Sequence, residues 1–547
     1  MKVYRFAGAI CVGALIAGAI STASSAEKKK RAPVLMPGLG EVHHPVSTKN
    51  REAQQFFDQG LKLVFGFNHD EARRSFQHAA EIDPKLAMAW WGVALTLGPN
   101  YNLPIDPEGE KAGYDAAQRA VALQANASEP ERAYITAVAT RYSNDPKADL
   151  PALDLAYKNA MGNVTARYPD DLDAATLYAE SAMNLRPWKL WSADGKPAEG
   201  TEEIVSVLES VLKRDPNHLG ANHYYIHAVE ASLHPERALP SADQLTKLAP
   251  AAGHLAHMPA HIYARVGDHA ASAHCNELAA AADRKFLAAT GQEGVYPMMY
   301  YSHNLHFLAY AGCMRGDFNE AKDAAAKLVA NVAPHVKMMA DLEGFMPTGT
   351  IVLLAFERWD DILKSPAPDP AMLNTTAIWH FARGIALANQ GKTAEAEREQ
   401  AIARETVQKV SPDAMFDPLN KTVAVLTVPE NLLTAAIARS RNDLPAAIVS
   451  LTQAVTDNDA LNYSEPPPWY PPVRPALGAL LLANKQLPDA EKVFRADLDR
   501  NPRDARALSG LRDTLKAQGR EYEALQIEQQ YRDAWKMAEA VTRSSSR

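Results

Sequence analysis

A spacing of glycine, alanine, phenylalanine and proline recurs near both ends of this chain, and it restricts the fold more than any other feature. After Gly60 come Leu63, Ala72, Phe76, Ala79 and Pro84, with Phe56 one turn ahead; after Gly478 come Leu481, Ala490, Phe494 and Pro502 at matching offsets, and Gly510 opens a further unit 32 residues on. Small residues at such positions let two antiparallel helices approach, and the proline ends the second helix. The pattern predicts helix pairs stacked over most of residues 50 to 535, each burying its apolar face against its neighbours.

On these residues the chain resembles the tetratricopeptide-repeat family, in particular its exported bacterial members. A fainter similarity, over 254–265 and 303–317, is to tetratricopeptide repeat protein 38. The resemblance implies an all-α, superhelical solenoid of tetratricopeptide-like helix-turn-helix repeats whose first helices line a concave groove, where a peptide or protein ligand binds. Alanine and leucine at helical spacing predict further helices at 110–123, 129–142, 152–168, 171–184 and 202–214, and a helix pair over 376–409. The expected organisation is a signal peptide at 1–26, a flexible segment at 27–49, N-terminal repeats at 50–216, a central histidine-rich block at 217–335, C-terminal repeats at 336–540 and a disordered tail at 541–547.

The start of the chain reads as an export signal. Lys2 and Arg5 precede an apolar run from Phe6 to Ile20, and Ser24-Ser25-Ala26 is a small-residue cleavage site. That run is short of the roughly 20 residues a membrane span needs, so cleavage near Ala26 and a periplasmic or secreted location are expected. No later stretch is long enough to span a membrane. The formal charge of −8 becomes −10 once Lys2 and Arg5 leave, and no basic excess points to nucleic acid. Cys11 leaves with the signal. Cys275 and Cys313 remain, either bridged, as an oxidising compartment allows, or as two isolated buried thiols.

Three segments interrupt the helical pattern: Asn100 to Pro104, Arg186 to Gly195 with Trp188 and Trp191, and the proline-rich Tyr463 to Pro472, which holds Glu465 beside rigid prolines. Such loops cross surfaces, and their aromatic side chains either pack beneath the superhelix or close one end of a pocket. His43-His44-Pro45 reads as a turn before the first helix.

Eleven of the seventeen histidines fall between His218 and His306. His223 and His257 are 34 residues apart, as are His227 and His261, and 34 is the repeat period. Gly267-Asp268 and Gly316-Asp317 set the next unit at an offset of 49, which matches His254 to His303 and His257 to His306. Three rungs follow: Gly220, His254 and His303; His223, His257 and His306; His227, His261 and Tyr310. Spacings of three and seven keep each set on one helix face, and Ile226, Val229, Ala260, Ala264, Leu305 and Leu308 occupy the other. The histidines are therefore expected to look into the groove, with Glu230 and Cys313 further along the stripe and Met258, Met298 and Met299 nearby.

Neutral imidazole is a preferred ligand of zinc, copper, nickel and iron. The ladder predicts that His223, His227, His254, His257, His261, His303 and His306 bind one or two transition-metal ions, zinc or copper, with the methionines tilting toward copper. His223, His257 and His306 are the expected first ligands, and Glu230 or Glu465 the base of any metal-dependent hydrolase or oxidase chemistry. A lone groove histidine is more often only a solvated polar residue, and repetition through duplication alone would also give a ladder. The chain lacks HExxH, paired CxxC, a glycine-rich phosphate loop and GxSxG. The competing function is a metal-free scaffold that clamps a peptide or protein partner in the groove.

Overall fold

Phe76 shows why the terminal spacing has to be what it is. In this computed structural model its ring lies between two glycines of neighbouring first helices: a Cβ on Gly60 would come within 2.6 Å of the ring, and one on Gly92 within 2.5 Å. Phe494 repeats the arrangement between Gly478 and Gly510, where added Cβ atoms would lie at 2.6 and 2.1 Å. A large ring on the second helix is thus clasped by glycines before and after it. Burying such a ring contributes roughly 1.5–3 kcal/mol per site.

The structure describes residues 33–105, 107–470 and 473–534. The signal-like segment 1–26, Lys28 to Arg31, Pro471, Pro472 and the tail 541–547 lie outside the described residues. The fold is an all-α superhelical solenoid; among the described residues the only β features are isolated bridges. Consecutive helices pack as hairpins, among them Arg51–Phe65 with His69–Ile82, Tyr301–Arg315 with Phe318–Val332, Leu373–Asn389 with Thr393–Val407, and Thr422–Ser440 with Leu444–Asp459. The apolar interior runs as successive overlapping clusters, from Leu39 to Tyr300, from Ala260 to Val473, and from Ala435 to Ala524. The helices expected between the ends are present as Pro107–Leu123, Glu129–Ala139, Leu150–Arg167, Leu172–Met183 and Thr201–Arg214.

Residues 33–49 correct the expectation of a flexible lead-in. Gln59 accepts from the Met36 amide at 2.7 Å and donates to the Val34 carbonyl at 3.0 Å, and the Ser47 amide donates to Glu131 at 2.6 Å. His44 is more than a turn residue, since its Nδ1 lies 2.7 Å from Asp173 Oδ2. Burial opposes the charge on that imidazole, but the hydrogen bond and charge of Asp173 outweigh it and raise its pKa above 6.5. The segment looks featureless in sequence because its polar groups find their partners on distant helices. Cys275 and Cys313 are both buried free thiols, which removes the disulfide alternative.

The central helices differ from the outer ones in having no wet face. Every residue of Leu219–Val229 is buried. The next first helix is split into Gly253–His257 and Pro259–Arg265, because Pro259 has no N–H for the ladder. Met258 keeps helical angles (φ −50°, ψ −38°), so the two pieces stay in line and the three histidines keep one side.

Candidate metal centre

The histidine faces do converge, but inside the protein. His223 and His257 are 0% exposed, His261 1%, His227 2% and His254 3%, while His303 and His306 are half-buried. The expected open groove is filled at this level from both ends of the chain. From the N-terminal side Phe67 stacks on His227 and His254, with ring centroids 5.7 and 5.6 Å apart, and Tyr101 and Trp188 cover His227 at 5.1 and 5.7 Å. From the C-terminal side the proline-rich segment brings Glu465 to His261 and Tyr470 to His306. All three aromatic interruptions thus end at the histidines.

The grouping also differs from the rungs. His223, His227 and His254 form one triad, and His257, His261 and His303 a second; within each, ligand-capable atoms lie within 4.8 Å of one another. His223 Nε2 is 3.1 Å from His254 Nε2, and His257 Nε2 is 2.8 Å from His261 Nε2. His303 lies over His257 with centroids 4.7 Å apart. His306 belongs to neither triad; it packs edge-on to Phe345 and against Tyr470. The predicted meeting of His223, His257 and His306 is therefore corrected: the close pairs are His223 with His254 across one neighbouring helix and His257 with His261 one turn along the same face, and His306 points to Phe345 and Tyr470 instead, so the long rung is not a contact. Met298 and Met299 pack against the small cluster of Leu305, Leu328 and Val332, and Met258 is buried in the larger core.

Hydrogen bonds set the tautomers. His223 Nδ1 faces the Phe65 carbonyl at 2.6 Å, His227 Nδ1 faces Glu230 Oε1 at 2.7 Å, and His257 Nδ1 faces Asn276 Oδ1 at 2.7 Å. Each partner is an acceptor, so each Nδ1 carries the proton and each Nε2 presents a lone pair. That is the outer arrangement that holds metal-ligating histidines in place. His227 Nε2 and His254 Nδ1 are buried with no hydrogen-bond partner among the described residues. A tetrahedral zinc with bonds of roughly 2.0–2.1 Å spaces its ligands by about 3.4 Å, so the 2.8 and 3.1 Å pairs need to open by only a few tenths of an ångström.

Electrostatics separates the histidines into two kinds. Burial, reinforced by neighbouring imidazoles, holds His223, His254, His257 and His303 well below 6.5, and burial alone takes His306 to about 3. Burial also lowers His227, against the pull of Glu230. His261 is the exception. Burial opposes its charge, but Glu230 and Glu465 raise it to about 10. Its Nδ1 lies 2.5 Å from Glu230 Oε2 and 2.8 Å from Glu465 Oε2. Burial pushes Glu230 up, yet His261 and His227 bring it down to about 2, whereas for Glu465 burial prevails over His261 and raises it. These are the two carboxylates picked out as bases, and both are enclosed.

Several partners carried no sequence signal. Asn276 lies on the following helix at a position that neither neighbouring unit repeats, and the Phe65 carbonyl is backbone. A smaller group, His44 with Asp171 and Asp173, sits apart from the centre and ties to His218, whose Nε2 lies 3.2 Å from Asp173 Oδ1.

No protein-family model matches the chain, and no curated protein does. Among solved structures, one similar in fold is the APC/C hetero-tetramer Cut9–Hcn1, at 14% identity over 85% of this chain and 76% of that one, with a TM-score of 0.31. Another is a human IFIT1 dimer with m7Gppp-AAAA, at 13% identity over 90% of this chain and 91% of that one, with a TM-score of 0.29. Similarity at this level carries no argument about the site.

Proposed function

We propose that this is a metalloprotein in which a helical-repeat superhelix encloses a transition-metal centre built from His223, His227 and His254 on one side and His257, His261 and His303 on the other. The observation that carries the reading is the commitment of Nδ1 on His223, His227 and His257 to oxygen acceptors, which turns three Nε2 lone pairs toward neighbouring imidazoles in a buried volume. His227 Nε2 is left buried with no hydrogen-bond partner among the described residues, a cost that a zinc or copper ion held by the same nitrogens would remove. Glu230 and Glu465 then serve the metal rather than a substrate, because both are buried. The reading also places the protein outside the cytoplasm, on the strength of residues 1–26; N-terminal sequencing of material expressed from the whole gene should begin near Glu27, and an intact Met1 would refute it.

Elemental analysis of protein without a histidine tag, incubated with zinc or copper and desalted, tests the centre. At least one equivalent per chain is expected, falling in the double variant H223A/H257A with the helical circular-dichroism signal retained. Less than about a tenth of an equivalent in the wild type would overturn the reading.

A partner-binding role has its own support at a different place. A cleft of about 680 Å³ runs along the C-terminal repeats, lined by Leu432, Ala435, Trp469 and Leu482, with Arg439 at its edge. Apolar walls beside an exposed cation suit an extended apolar peptide with an acidic group. Loss of a bound peptide of that kind in R439E would support it, and unchanged binding would exclude this cleft. Among the described residues no helix is long and apolar enough to cross a membrane.

A further inference from the structure

His261 touches two different groups of potential ligands with its two ring nitrogens. Nε2 faces His257 Nε2 at 2.8 Å, within the nitrogen triad completed by His303. Nδ1 faces Glu230 Oε2 at 2.5 Å and Glu465 Oε2 at 2.8 Å, and these three atoms also form a compact potential ligand set. Each carboxylate has its other oxygen already occupied: Glu230 Oε1 accepts from His227, and Glu465 Oε1 accepts from the Tyr463 hydroxyl. Their Oε2 atoms, like His261 Nδ1, are buried without an aligned hydrogen bond. One N–H cannot point along two acceptor directions at once, so three ligand atoms converge with at most one proton well placed between them.

We infer that His261 bridges two metal ions, one held by His257, His303 and its own Nε2, the other by Glu230, Glu465 and its own Nδ1. This rests on the proposed centre and adds to it a mixed nitrogen–oxygen site, to which the proline-rich segment contributes Glu465. A bridging ring has given up both N–H protons, which pass to solvent as the two cations bind; no electron is transferred. Hard oxygen ligands beside a nitrogen suit zinc or copper(II) better than copper(I). The stretch from Tyr463 to Tyr470 therefore completes a metal site on helices far from it in sequence, and is more than a connection between repeats.

The test uses the full protein loaded with copper(II) and desalted. Total copper is measured by elemental analysis, copper(I) with bathocuproine, and uncoupled copper(II) by integrated electron paramagnetic resonance. Two ions sharing one imidazolate couple antiferromagnetically, so wild-type protein should hold at least two equivalents with about two of them missing from the integrated signal. E465Q should lose about one equivalent and recover full signal from the copper that stays. H261A should abolish the coupling, and E465Q covers the case in which H261A fails to fold. Copper bound in full but fully visible in the wild type, or a single equivalent only, would overturn the bridge and leave the centre standing. Absence of copper altogether would overturn the centre itself.

Discussion

Asn276 Oδ1 lies 2.7 Å from His257 Nδ1 while its own Nδ2 donates to the Ser272 carbonyl at 2.8 Å. The second bond fixes which way the amide faces, because a flip would set two acceptors against each other. His257 therefore has no choice but to protonate Nδ1 and to offer Nε2 to the centre. Replacing Asn276 with leucine keeps the volume and removes the acceptor. Outer partners of this kind are worth about 10–100-fold in metal affinity, and N276L should weaken zinc binding by that order in a competition with a chromophoric chelator. An unchanged dissociation constant would mean that the asparagine only packs.

The two members of the Tyr301–Arg315 helix that looked equivalent in sequence should behave differently. His303 stands over His257, and His306 stands between Phe345 and Tyr470 and joins none of the potential ligand groups among the described residues. H303A should lower the metal content or affinity of the second triad. H306A should leave both unchanged and reduce thermal stability modestly through lost packing. Equal metal loss in the two variants, read by elemental analysis, would restore the rung that the structure dissolves.

How far the sequence could be read follows from how local each signal is. The clasp of Phe76 by Gly60 and Gly92, and of Phe494 by Gly478 and Gly510, uses residues within one repeat of each other, so spacing alone exposed it. His223, His227, His257 and His261 were found for the same reason. What spacing could not supply was depth. The histidines were expected in an open groove, and what closes it comes from Phe67, Tyr101 and Trp188 on one side and Glu465 and Tyr470 on the other, contacts that no periodicity encodes. The aromatic loops were visible as interruptions, but their common destination was not.

Phe67 occupies a turn position where the equivalent residues are Gly267 and Gly316, each followed by the aspartate that caps the next helix. Its φ is +53°, a conformation that costs a residue with a side chain about 1 kcal/mol. The ring offsets this by filling the space over His223, His227 and His254. Two substitutions separate the effects. F67A loses the ring and keeps the strain, for a cost of about 3–5 kcal/mol. F67G loses the ring and relieves the strain, so it should be the more stable of the two by about 1 kcal/mol, the reverse of the usual order of alanine and glycine. Denaturant midpoints of the two variants decide it, and F67A unfolding later than F67G would contradict the assignment of strain.

Glu180 gives a pH dependence that does not involve the proposed metal ligands. Burial raises its carboxyl to about 7, against the opposing pull of Arg141 and of the Asn184 hydrogen bond at 2.6 Å. An acid whose pKa is higher in the folded protein binds its proton more tightly there, so the unfolded chain ionises first as pH rises from its ordinary value of 4.5. Stability from this group is therefore greatest below about pH 4.5, falls between about pH 4.5 and 7 by up to about 1.4 kcal/mol per pH unit, and is level above that. In E180Q the amide keeps an oxygen for Asn184, places an N–H where Oε2 has no aligned partner, and does not titrate. The difference in unfolding midpoint between E180Q and the wild type should therefore grow in favour of the variant from pH 5 to pH 7 and then stop growing. Midpoints that run parallel across that range would show that Glu180 is already ionised in the folded protein at pH 5, with Arg141 rather than burial governing it.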